Sequence, residues 1–159
     1  MQEVLEVPRV AKAAAVAVLL VASCSTGPPG PAALDPANDA CAQCRMAVSD
    51  RRFAAQIVAR GEEPLFFDDL GCLRDYISAH RDLPGSLAVF VADHRTGEWV
   101  EASSAVFSRQ PSVATPMASG LLAHGDAASR ARDSEATGAR AVPAAEVLGS
   151  LARQAGGTR

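Results

Sequence analysis

The sequence predicts an α+β fold of two small related β-β-α units, in which antiparallel hairpins pack against helices. Short runs rich in Val, Ile and Phe are separated by breaks that contain Gly or Pro, which is typical of hairpins. Apolar residues recur at helical spacing after each group of strands. The order of strand, strand and helix occurs twice, which suggests a weak internal repeat.

In the first unit, residues 53–58 and 65–67 are predicted to form two antiparallel strands, joined at a Gly-Glu-Glu-Pro break. Asp68 is expected to cap a helix over residues 69–80, since carboxylates are favoured at that position. The apolar residues of this helix lie on one stripe that should pack onto the hairpin, and Cys72 lies at the margin of the stripe.

A second hairpin is predicted from residues 87–92 and 98–102, with a loop at 93–97. The second unit comprises strands at 120–124 and 140–142, a helix at 126–132 and a closing helix at 143–152 with Pro143 in its first turn. If the units are related, Met46 and Met117 stand at equivalent starts of strands and could meet in one cleft.

Residues 1–23 are interpreted as a lipoprotein signal peptide. Arg9 and Lys12 supply positive charge, and the apolar run that follows is too short to span a bilayer. The run ends in Val-Ala-Ser before Cys24, the pattern in which the cysteine is lipidated. An ordinary cleaved signal with a leftover cysteine is the alternative.

Lipid on Cys24 would hold the protein on the periplasmic side of a bacterial membrane, and Ser25 slightly favours the outer membrane in a cell with two membranes. Residues 24–38 are rich in Pro and Gly and are expected to form a flexible tether. Residues 39–155 then form one domain. The net charge of −3 and the absence of a basic cluster argue against nucleic-acid binding.

The segment from Cys41 to Met46 reads Cys-Ala-Gln-Cys-Arg-Met and is the strongest functional signal. Two thiols and a thioether so close together favour Cu(I), because soft sulfur ligands suit this ion whereas zinc sites rarely use methionine. In extended backbone Cys44 and Met46 would point to the same side. The segment therefore predicts a Cu(I) site.

Other interpretations remain open at this stage. In an oxidising compartment Cys41 and Cys44 could form a disulfide in a structural lipoprotein, with Cys72 a lone buried thiol, or could act as a thiol-disulfide oxidoreductase. The two methionines could be packing residues. The three histidines lack metal-like spacing, and solvent exposure is the favoured expectation for His80, His94 and His124.

Known catalytic motifs are absent from the sequence: there is no Walker loop, no G-x-S-x-G, no H-E-x-x-H and no haem-attachment C-x-x-C-H. A non-enzymatic protein is therefore expected.

Five ordered motifs resemble the NosL family. They are the lipobox, Cys-x-x-Cys-x-Met at 41–46, Phe-Phe-Asp-Asp-Leu-Gly-Cys at 66–72, Trp-Val-Glu-Ala at 99–102 and Thr-Pro-Met-Ala-Ser-Gly at 115–120. The resemblance implies a copper-binding lipoprotein that delivers Cu(I) to a copper enzyme, nitrous oxide reductase, during denitrification.

The resemblance also implies which residues bind copper. Cys44, Met46 and Met117 match the family's ligand positions, whereas Cys41 and Cys72 are further candidates shared with only part of the family. Many members have Gly where this chain has Arg45, and His124 stands where an aromatic residue is usual. Delivery to nitrous oxide reductase is thus less firmly implied than copper binding.

Overall fold

The computed structural model describes residues 27–152 of the chain. The predicted signal peptide and lipidated Cys24 lie outside this range, as do residues 153–155 at the predicted end of the domain. The described part contains seven strands, three α-helices and two short 3-10 turns. The strands are β1 (Ala55–Ala59), β2 (Leu65–Phe67), β3 (Leu87–Ala92), β4 (Trp99–Glu101), β5 (Val106–Arg109), β6 (Leu121–His124) and β7 (Arg140–Val142). The helices are α1 (Leu70–Ala79), α2 (Ala127–Arg132) and α3 (Ala144–Leu148), and the 3-10 turns are Arg51–Phe53 and Ser134–Ala136.

The first sheet has the antiparallel order β2-β1-β3-β4. Its central strand β1 is buried along most of its length, and Gln56 within it is fully buried. The Gln56 side chain accepts a hydrogen bond from the Ala32 amide at 2.7 Å and donates to the Ala32 carbonyl at 3.2 Å. Ala32 and Leu34 also pack against the core, so this part of the predicted tether rests on the domain.

The second sheet has the antiparallel order β6-β5-β7. In both sheets the first strand in the chain is flanked by the next two, and a helix precedes the third strand. The repeat is therefore β1-β2-α1-β3 followed by β5-β6-α2-β7, which confirms an α+β fold of two related units. The sequence prediction had aligned the repeats differently, because β5 was missed.

This alignment corrects the proposed equivalence of the two methionines. Met46 precedes β1, whereas Met117 lies between β5 and β6, a position that corresponds to the loop between β1 and β2. The prediction that Met46 and Met117 occupy equivalent positions in the two repeats was therefore wrong. Any meeting of the two thioethers must come from the packing of the units and not from the repeat.

One apolar core joins the two sheets, with residues from β1, β2, α1, β5, β6 and α3 in contact. Helix α1 packs on α3 and on the first hairpin, as its apolar stripe predicts. A small second cluster surrounds Phe53 and Leu122. The functional residues lie where the turn before β1, the start of α1 and the loop before β6 come together.

Several boundaries differ from prediction. Asp69 and not Asp68 caps α1, with its carboxylate accepting from the Gly71 amide at 2.6 Å. Pro143 is the N-cap residue of α3 and lies just outside the helix, which ends at Leu148. Strand β1 begins at Ala55, because the preceding residues form a 3-10 turn.

Two of the three histidines were placed wrongly. His94 and His124 are buried, with 1% and 0% of their surface exposed, and both contact Asp133. His80 is exposed as expected, and its ring stacks on Tyr76 with 3.9 Å between ring centroids.

Candidate functional site

The segment from Cys41 to Met46 forms a tight turn. The Cys41 amide donates to the Met46 carbonyl at 2.7 Å, and the Arg45 amide donates to the Cys41 carbonyl at 2.9 Å. The Ala42 amide donates to the Phe66 carbonyl at 2.8 Å, which attaches the turn to β2. Arg45 has a φ of 68°, so the backbone is left-handed and not extended there. The expectation that Cys44 and Met46 point to one side through extended backbone is therefore wrong.

The turn brings two cysteines against the start of α1. The thiol sulfurs of Cys41, Cys44 and Cys72 and a carboxylate oxygen of Asp68 all lie within 4.8 Å of one another. Cys41 and Cys72 are buried and Cys44 is half-buried. All three thiols are free in the structure, with no disulfide between Cys41 and Cys44. The four groups form a cluster able to hold a metal ion, which we call the sulfur cluster.

Asp68 places a buried carboxyl group beside the thiols. Its side chain is only 2% exposed, and its Oδ2 accepts a hydrogen bond from the Cys44 thiol at 3.4 Å. Its Oδ1 is buried without a hydrogen-bond partner among the described residues. A buried carboxylate is costly unless a cation or several donors compensate it. A metal ion at the thiols would supply that compensation.

The same surroundings favour the protonated forms of Cys44 and Cys72. Burial raises the pKa of Cys44 above its ordinary value. The Met46 amide opposes this shift less strongly than burial drives it, and hydrogen bonds with Cys41 and Asp68 raise the pKa again. Burial and then Asp68 raise the pKa of Cys72 far more. Metal binding to either thiol must therefore displace a proton, since the ligand is the thiolate.

Met117 reaches the same region on a separate loop. Asp69 holds this loop, because its Oδ2 accepts from the Met117 amide at 3.0 Å while its Oδ1 caps α1. Contact between the two segments is close: a β-carbon added at Gly71 would lie 2.8 Å from the β-carbon of Ser119. The start of α1 thus positions both Cys72 and Met117.

These segments enclose an open surface cleft of about 470 Å³, lined by Cys44, Cys72 and Met117 together with the cationic side chains of Arg74 and Arg109. Three sulfur-containing residues from distant parts of the chain therefore line one cleft. Met46 does not line this cleft. It lies at the surface with 56% of its area exposed, and Met117 is 44% exposed.

The comparison with protein families decides the assignment. The model of the NosL family matches residues 31–151, which is more than half of the chain. The chain belongs to the NosL family. No curated protein and no solved structure matched the chain.

Membership of the NosL family indicates an accessory function in copper binding and not a known class of enzyme. The sulfur cluster agrees with metal binding. Within residues 27–152 we find no helix that is both long and apolar enough to cross a membrane.

Sequence reasoning missed the roles of the two adjacent aspartates in this NosL-family site. Asp68 was expected to cap the helix, with Asp69 as its first residue. The structure instead divides them, with Asp68 buried at the thiols and Asp69 joining α1 to the Met117 loop.

Proposed function

We propose that this NosL-family protein binds one Cu(I) ion through Cys44, Met46 and Met117 and delivers it to a copper enzyme, nitrous oxide reductase being the recipient that the family suggests. The observation that carries the proposal is the cleft that Cys44 and Met117 both line. A thiolate with thioether ligands suits Cu(I), which prefers soft donors.

The exposure of the thioethers supports delivery in particular. Met46 and Met117 are the exposed large hydrophobic side chains of the described residues, and both belong to the proposed ligand set. A partner can approach a ligand that is half exposed, so copper can pass through shared coordination without release into water. The buried Cys41 and Cys72 would stay behind as supporting ligands or as a protected thiol reserve.

Competition with a Cu(I) chelator under reducing, anaerobic conditions tests the binding. Cys44→Ser should weaken the affinity for Cu(I) at least tenfold, or about 1.4 kcal/mol, because it removes the thiolate. Met117→Leu and Met46→Leu should each weaken it by a smaller factor, since leucine keeps the volume of methionine and loses only its sulfur. Unchanged affinity in all three variants would contradict the proposed site.

Leu65→Met offers a matched control, since it adds a thioether at a half-buried position of β2 that does not line the cleft. It should leave the affinity for Cu(I) unchanged. Transfer is tested separately by mixing the copper-loaded protein with copper-free nitrous oxide reductase and measuring copper in the enzyme. Copper that stays on the donor would count against delivery to this enzyme, though not against copper binding.

We further propose that Cys24 carries the lipid and holds the domain on the periplasmic face of a membrane. Mass spectrometry of the membrane fraction should find acyl chains on Cys24 and none in Cys24→Ala, which should appear in the soluble fraction. A lipid-free protein cleaved elsewhere would overturn the anchor.

The raised pKa of Cys44 is evidence against the competing oxidoreductase function. Enzymes that exchange disulfides use thiols whose pKa is lowered, so that the thiolate attacks at neutral pH. Burial has the opposite effect at Cys44. We expect no activity in an insulin-reduction assay.

A further inference from the structure

We propose that His94, His124 and Asp133 form a second metal site, specific for a divalent ion that prefers nitrogen and oxygen ligands, with Zn²⁺ as the reference ion. The site is independent of the sulfur cluster, and no thiol or thioether belongs to it. We call these three residues the histidine cluster.

The geometry brings three segments to one point. The Asp133 Oδ2 atom lies 2.6 Å from Nδ1 of His94 and 2.9 Å from Nε2 of His124. His94 follows β3, His124 ends β6 and Asp133 follows α2. The His94 amide donates to the Ala123 carbonyl at 2.8 Å, which fixes the first loop beside the second strand.

The cluster is buried, and its hydrogen bonding is incomplete. The exposed fractions are 1% for His94, 0% for His124 and 7% for Asp133. The outer nitrogens, Nε2 of His94 and Nδ1 of His124, lack a hydrogen-bond partner among the described residues. Unpaired polar atoms are uncommon in protein interiors and call for an explanation.

A metal ion fits the chemistry of the three groups, whose ligand atoms all lie within 4.8 Å of one another. Two neutral imidazoles and one carboxylate are common ligands for zinc, with bonds of about 2.0–2.2 Å. An ion between them would require the three atoms to separate by roughly 0.5 Å, since tetrahedral bonds of that length keep ligands about 3.3 Å apart. The inner nitrogens would then present lone pairs to the ion, and the ring protons would move to the outer nitrogens.

Glu135 provides the partner that such a tautomer needs. Its Oε2 atom lies 3.7 Å from Nε2 of His94, and its side chain is about half exposed. The same oxygen accepts from Nη1 of Arg52 at 3.0 Å, which holds the carboxylate beside the ring. Histidines that bind metals usually donate their other ring N–H to a carboxylate or carbonyl, which orients the ring. His94 therefore has an inner carboxylate to share the ion and an outer carboxylate to accept the ring proton.

An open cavity lies beside Asp133. Asp133 and Ala136 line an open cavity of about 320 Å³. Asp133 is thus the member of the histidine cluster that an ion arriving from solvent would meet first. The site would join the β3–β4 loop, β6 and the segment after α2, and so would link the two repeats.

Titration with Co²⁺ tests the proposal, because this ion replaces Zn²⁺ and its absorption reports its ligands. In Cys44→Ser/Cys72→Ser protein, Co²⁺ should give weak visible bands without the near-ultraviolet charge-transfer band of thiolate ligation. Asp133→Asn in that background should weaken binding at least tenfold. The amide keeps an oxygen that can cap the Ser134–Ala136 turn, as Asp133 Oδ1 does at 3.0 Å from the Glu135 amide.

Glu135→Gln offers a second variant at a half-exposed position, where folding is not at risk, and should weaken Co²⁺ binding about 10- to 100-fold. If the double cysteine variant does not fold, the wild-type protein with Cu(I) already bound takes its place. The absence of visible bands, or equal affinity in Asp133→Asn and its parent, would overturn the proposal. A charge-transfer band that accompanies every visible band would overturn it as well, since it would assign the ion to the thiols.

Discussion

The dependence of copper affinity on pH should count the thiolates in the site. Because burial raises the pKa of Cys44 above its ordinary value, this thiol is protonated near neutral pH and loses its proton to the metal. Methionine sulfur carries no proton to lose. With Cys44 as the only thiolate ligand, the logarithm of the association constant for Cu(I) should rise by about one for each pH unit.

Between pH 6 and pH 8 this slope amounts to about a 100-fold gain in affinity, or about 2.7 kcal/mol, since each unit is worth about 1.36 kcal/mol. The assay is competition with a Cu(I) chelator whose own constant is known at each pH. Met117→Leu should lower the association constant at every pH without changing its dependence on pH. Cys44→Ser should abolish that dependence. A slope near two would add a second thiol of the sulfur cluster, Cys41 or Cys72, to the ligands.

A slope of zero in the wild-type protein would refute the reasoning, because it would mean that no protonated thiol binds the ion. An unchanged slope in Cys44→Ser would refute the assignment of Cys44 as the thiolate ligand. The sign follows from the direction of the shift: a thiol with a raised pKa binds metal better as pH rises and loses affinity in acid.

Three further predictions concern the scaffold. Arg45→Gly should raise the free energy of unfolding, measured by urea denaturation, by up to about 1 kcal/mol, because a left-handed φ of 68° is costly for any residue with a β-carbon. A loss of stability would contradict this. Gly71→Ala should cost about 1–3 kcal/mol of stability and weaken Cu(I) binding, because the new β-carbon would lie 2.8 Å from a β-carbon of the facing loop. Gly85→Ala is the control: nothing lies within 4 Å of its new β-carbon, so Cu(I) binding should not change. Equal copper affinity in the two variants would count against this packing argument. Asp93→Ala should cost about 3 kcal/mol in the same denaturation assay, because the Asp93 carboxylate accepts hydrogen bonds from three backbone amides. The control Asp75→Ala changes an exposed residue and should cost less than about 0.5 kcal/mol. Similar losses in both variants would show that these hydrogen bonds matter little.

The fold was largely predictable where apolar patterns were clear. The stripe on α1 and the alternation around the 93–97 loop predicted a helix and a hairpin that the structure contains. Strand β5 was missed, since it has four residues and includes the fully buried Ser108, so its pattern does not resemble a half-buried strand. That omission misaligned the second repeat.

The site was only partly predictable, for reasons of distance along the chain. Cys41 and Cys44 are close in sequence, but nothing local shows that the first turn of α1 brings Cys72 to them. The same limit explains why the histidine cluster was not predicted, because the positions of His94 and His124 in the sequence favoured solvent exposure. Burial of a histidine depends on what packs above it, and a single sequence does not contain that information.

The two oxygens of Asp69 have a consequence for engineering and for evolution. One begins the helix that carries Cys72, and the other anchors the loop that carries Met117. The loop therefore cannot be exchanged, lengthened or grafted without disturbing the helix that faces it. Changes in metal preference are easier to reach by replacing ligand side chains on this fixed frame than by remodelling the frame itself.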